Sequence, residues 1–230
     1  QIRGLTTAGP LTGLTTAQVA ALTAAQVGAL TTTQVAGLTT AQISAIEVQD
    51  FSGMDTTQIR ALTSAQLSSL TNYQVAALTT DQVQALSTTN FAGLTSSFIQ
   101  AMEITDISAF TTAQIVAMDS AHIGALLPSQ IGALTTGQFV AIQTADLAGL
   151  TSPQIQSIPA SLLSVMTTTQ ITSLSNTQLG YLTTTQDGFF TASQLGAMST
   201  AQLAAARTPL ILDLGGDGIH TTSLDQGVTF

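Results

Sequence analysis

The residues best equipped for chemistry in this chain are its acids and its two histidines, and they fall into three groups. Near the C-terminus, Asp213-Leu-Gly-Gly-Asp-Gly218 has the layout of the start of a calcium loop. Such a loop places oxygens at positions 1, 3 and 5, with glycine at 6 for a sharp turn. Asp213 and Asp217 fill positions 1 and 5, and Gly218 supplies the turn. Gly215 stands where the middle acid belongs, and position 12, a bidentate Glu in a full loop, is Leu224 with Asp225 beside it. Half a site is therefore present: Asp213, Asp217 and Asp225 are the candidate metal ligands and calcium the candidate cofactor, against an Asp-Gly turn that holds no ion.

The second group is three pairs spaced by three residues: Glu47 with Asp50, Glu103 with Asp106, and Gln143 with Asp146. Their acids could serve as ion sites or as acid–base pairs. They could equally cap helix N-termini, where negative charge is favourable, and that structural reading is the stronger. Of the histidines, His220 has no partner His, Cys or clustered carboxylate at ligand spacing. His122 occupies a repeated position and reads as a substituted cap rather than a metal ligand. No Ser-His-Asp arrangement, phosphate loop or nucleotide fingerprint is visible. The chain is not expected to be an enzyme, and no catalytic residue is assigned.

What must position these residues is a repeat. From Leu14 to Ala205 the chain runs in 24 consecutive octads of the form apolar–Thr–x–x–Gln–apolar–x–small, as in Leu22-Thr-Ala-Ala-Gln-Val-Gly-Ala29. Position 2 is Thr in 14 octads, with Ser and Asp as the usual substitutes. All three types carry a short side-chain oxygen that accepts from the first free amides of a helix. Position 5 is Gln in 17 octads, and Thr-x-x-Gln is a capping box. Positions 1 and 6 are then the two halves of a hydrophobic staple. Position 1 is apolar throughout, and position 6 everywhere except Asp187, which marks a local defect or bend. In the three swapped pairs the long polar residue moves to position 2 and the acid to position 5, so those two positions are expected to touch.

Three prolines test the assignment. Pro128 falls at the first helical position, which proline favours, and Pro153 at the second. Pro159, at the cap, fits less well. Each octad has room for about six helical residues, too few to be stable alone in water. The expected fold is therefore all-α, a solenoid of very short capped helices, one per octad, with small residues at position 8 where backbones approach. A β-solenoid with two octads per coil is the alternative, favoured by the Thr, Val and Ile content. It lacks turn residues at fixed places. One long amphipathic helix fails, because eight residues at ~100° each leave a drift of about 80° per octad.

The chain divides into 1–13, the end of a preceding repeat plus an irregular nine-residue unit, then the solenoid at 14–205, then a non-repetitive segment at 206–230. Gln1-Ile2-Arg3-Gly4 reads as the second half of a repeat, so a longer parent protein is expected. Among the 230 residues 44% are hydrophobic, enough for a continuous core, and 7% are charged. The basic residues are Arg3, Arg60 and Arg207, and the net charge is −9. Nucleic acid and anionic membranes are poor partners for such a surface. No apolar run approaches the ~20 residues of a membrane span, and the chain has no cysteine for disulfides or thiolate metal sites.

The segment Thr208-Pro-Leu-Ile-Leu-Asp-Leu-Gly-Gly-Asp-Gly-Ile-His-Thr-Thr-Ser-Leu-Asp-Gln-Gly-Val-Thr-Phe230 resembles a stretch of hemolysin-type calcium-binding (RTX-like) proteins, large bacterial surface proteins exported by type I secretion. It departs from that family at Gly215, where an acid or Asn is usual. The Leu-Thr-x-x-Gln octads are similar in composition to spacer arrays in giant proteins of this kind. The resemblance implies export, an extracellular or cell-surface location, and calcium downstream.

The expected function is accordingly structural: an extracellular fibre, stalk or matrix component. Positions 3, 4 and 7 are mostly small and uncharged, so self-association through repeated surfaces, extending to filaments, is expected. The alternative is an adhesin spacer or binding surface, with ice binding a minor version. No small-molecule substrate is expected.

Overall fold

The computed structural model describes residues 11–206. Within them every octad from Leu14 to Ala205 forms one helix, beginning with Thr16–Ala20 and ending with Thr200–Ala205. Twenty-three are α-helices of four to six residues, and Asp146–Gly149 is a 3-10 helix covering the second half of its octad. No strand occurs among the described residues. The chain is an all-α solenoid of short capped helices, and the β-solenoid alternative is set aside.

The local reasons are those the octad spells out. Cap residues are extended, as at Thr39 (φ −71°, ψ 160°), and the Thr39 hydroxyl accepts from the Gln42 amide. Pro128 is the first residue of its helix and Pro153 the second, where their missing amides cost nothing. Pro159 caps Ala160–Val165 with no side-chain hydrogen bond. Positions 1 and 6 form one continuous core from Leu11 to Ala206, in which Val19, Ile43, Phe51, Ile99 and Ile171 are fully buried.

Helices pack most heavily on those three octads away: Thr16–Ala20 on Thr40–Ala45, Thr56–Ala61 on Thr80–Ala85, and so on to Asn176–Leu179 on Thr200–Ala205. One superhelical turn is therefore three octads, or 24 residues, and the 24 octads make eight turns. The solenoid has three faces, each a stack of eight helices. The first face takes the octads beginning at 14, 38, 62, 86, 110, 134, 158 and 182. The second starts at 22 and the third at 30, with the same step of 24.

Candidate functional site

The polar residue that organises this fold is the glutamine at position 5, and it does two jobs. In all 17 octads that have it, Oε1 accepts from the backbone N–H of the cap residue at 2.7–3.1 Å, closing the capping box. In 14 of them Nε2 also donates to the position-1 carbonyl 28 residues earlier, at 2.6–3.2 Å. Most also donate to the carbonyl 31 residues earlier, as Gln114 does to Val83 at 2.8 Å. These two carbonyls flank the junction between successive helices one turn below, where the helix ladder leaves acceptors free. Each of these 14 glutamines is thus a rung between turns, and most are deeply buried: Gln74, Gln114 and Gln130 are each 1% exposed.

This second job went unseen in the sequence, where only the cap was legible. The choice of amide over acid is the signal that could have shown it. Glu closes a capping box as well as Gln does, yet no octad has Glu at position 5. Only the amide can donate to the turn below.

Two of the seven substitutes at position 5 follow the same rule. Asn90 Nδ2 donates to Leu62 O at 2.6 Å, again 28 residues back. His122 is a cap, as expected, and more: Nε2–H donates to Leu94 O at 2.8 Å. When the imidazole is neutral, Nδ1 accepts the Asp119 amide at 3.2 Å. When it is charged, Nδ1–H can instead donate to the Asp119 carboxylate 2.7 Å away. Hydrogen bonding from the His122 amide holds the Asp119 carboxyl below its ordinary value. At Asp55, also a cap, the Thr57 hydroxyl and the Gln58 amide do the same.

The swapped pairs behave differently from the expectation. Neither Glu47 nor Glu103 makes a side-chain cap bond. Gln143 Nε2 reaches instead to Val116 O, 2.8 Å away in the turn below. Asp106 is 3% exposed, and burial, reinforced by the charge of Glu103, pushes its carboxyl up to about 6. Asp146 is raised mainly by burial and then by Asp119, a neighbour from the turn below that sequence spacing alone did not pair with it.

In three octads a shorter position-5 side chain comes with a closer backbone, Asp106 with Ala109 at position 8 being the exception. After Asp50, Asn90 and Asp146 the helix is short and position 8 is Gly53, Gly93 or Gly149. A Cβ on Gly149 would sit 2.0 Å from Ser120 O, and one on Gly53 2.2 Å from Ala24 O. Asn90 reaches one methylene less than Gln, and Gly93, close against Ser64, lets the turns approach to match.

No group of three or more His, Cys, Asp or Glu side chains among the described residues is arranged to hold a metal ion. The candidate calcium ligands Asp213, Asp217 and Asp225, with His220, lie outside the described residues. A shallow open hollow of about 400 Å³ lies between stacked octads on the third face, with Ile104 and Leu127 at its wall and Glu103 its single titratable group. No described helix is long and apolar enough to cross a membrane.

Fold and rungs together define a repeat protein, a helical solenoid built from octads. Three stretches, residues 9–40, 43–80 and 99–136, match the family described as the ALTTAQ repeat. No curated protein matches the chain.

Proposed function

We propose that this chain is part of a structural extracellular protein, a rod that serves as a stalk, fibre or matrix element and associates with copies of itself. The observation that carries the reading is the ladder of rungs from Gln42 to Gln202. The recurring polar side chains have their hydrogen-bonding capacity engaged inside the rod, and the surface repeats the same small residues turn after turn. A scaffold rather than a catalyst fits that use of side chains. The extracellular setting, export and calcium rest on the resemblance of residues 208–230 to RTX-like proteins, with Asp213, Asp217 and Asp225 as the proposed ligands.

Electron microscopy of native secreted material, with and without calcium chelation, tests this reading. Rods or filaments of constant cross-section in the extracellular fraction are expected. Compact particles confined to the cell interior would contradict it.

A further inference from the structure

The three faces of the solenoid differ in charge. Nine acids and one arginine lie between residues 14 and 205. The second face carries Glu47, Asp50, Asp119 and Asp146, and the third carries Asp55, Arg60, Asp81, Glu103 and Asp106. On the first face the one charged residue is Asp187. Two copies approaching through the acidic faces repel each other, whereas the first face meets its like almost without charge.

That face also has a size pattern along its outer ridge, at positions 7 and 8. In its last four layers the ridge exposes large apolar side chains: Val116 (47% exposed), Val140, Val165 and Phe189 (42%). They recur at 24 or 25 residues, one per turn. In its first four layers the same ridge carries only Ala, Ser and Gly, from Ala20-Ala21 to Ala92-Gly93.

We infer that the first face is a docking surface for a second copy of this chain, packed antiparallel about a two-fold axis that lies in the face, perpendicular to the rod. This rests on the self-association proposed above and names its surface. The two-fold runs along the helices, so ridge meets ridge with the order of layers reversed. Val116 then lies against Ala92 of the other copy, Val140 against Ser68, and Phe189 against Ala20. Each large side chain meets a layer with room for it, and both halves are satisfied by one closed symmetry operation. Parallel packing, with the two-fold along the rod, reverses the helices instead and sets this ridge against the helix N-terminal ends of the other copy.

Eight helices averaging about 8 Å long, stacked at about 9 Å, give a strip of roughly 550 Å². Side chains at its edges add to this, toward the ~800 Å² per partner of a standard interface.

The absence of native cysteine allows a direct test on the full chain. Val116→Cys and Ala92→Cys are made separately and mixed under mild oxidation. The antiparallel pairing predicts disulfide-linked dimers in the mixture and few from either variant alone. Rapid cross-linking of Val116→Cys with itself would overturn it. In parallel, sedimentation equilibrium should show Val140→Asp weakening the dimer at least tenfold, while Ile104→Asp on the third face leaves it unchanged. Circular dichroism checks that both variants remain folded. Dimers indifferent to Val140→Asp would sink the assigned face yet leave self-association standing. A wild-type chain that stays monomeric at high concentration would sink both.

Discussion

At the scale of single residues, the glutamine amide separates two contributions that a capping box usually merges. Gln114→Glu keeps an acceptor for the Thr111 amide but turns a carboxylate toward the Val83 and Leu86 carbonyls. Loss of two donors in a buried site should cost about 2–4 kcal/mol at pH 7, measured by urea unfolding. Gln18, which is exposed and makes only the cap contacts, is the control. Gln18→Glu should change stability by less than about 0.5 kcal/mol. His122→Gln should be close to neutral, because Gln reproduces both the cap acceptor and the donor to Leu94 O. His122→Ala should cost about 1–3 kcal/mol.

Asp106 adds a pH dependence at the same scale. Its folded pKa, about 6, lies above the ordinary 3.8, so protons bind the folded state more tightly than the unfolded one. The protonated carboxyl is favoured inside the rod, where burial and the nearby Glu103 charge oppose ionisation. This contribution is fully present below about pH 4 and is lost as pH rises through about 6. It amounts to roughly 2 kcal/mol. Asp106→Asn should flatten that part of the stability–pH curve, and a wild-type-like slope in the variant would refute the assignment. Asp106→Gln, which restores the rung, should stabilise the chain at pH 7.

At the scale of the helix, close approach between turns is set locally. Gly149 and Gly53 stand where a Cβ would collide with backbone of the turn below, so Gly149→Ala should cost about 2–4 kcal/mol. Gly137, near the start of Thr136–Ala141, has nothing within 4 Å of where its Cβ would be. Gly137→Ala should stabilise by up to about 1 kcal/mol, through helix propensity alone. Thermal unfolding of the two variants should shift in opposite directions. The cap, the staple and the placement of Pro128 and Pro153 were legible because they are contacts within one octad, where residue types and spacing state the geometry. The cap role of Glu47 and Glu103 is the exception, since neither makes a side-chain cap bond, although Glu103 does lie near enough to Asp106 to act on its charge.

For the whole molecule, the number of octads per turn was not legible, and the reason is physical. When every octad presents the same pattern, stacking on the second, third or fourth neighbour buries equivalent residues. The choice is made by backbone geometry and fixed by Nε2 donors acting over 28 and 31 residues, distances at which a repetitive sequence carries no distinguishing mark. The Asp50–Gly53, Asn90–Gly93 and Asp146–Gly149 combinations were present in the sequence, but they acquire meaning only once the turn below is known. The charge difference between faces likewise appears only after residues are sorted by a step of 24.

An eight-turn rod with about 9 Å per turn is roughly 70 Å long, and this extended form underlies both the structural role and the lateral docking. Small-angle X-ray scattering of the full chain, at a dilution where light scattering shows a monomer, tests it most directly. A three-sided rod predicts a radius of gyration of about 22 Å or more, with a distance distribution skewed to a long tail. A value of about 17 Å, that of a compact chain of this length, with a symmetric distribution would contradict it.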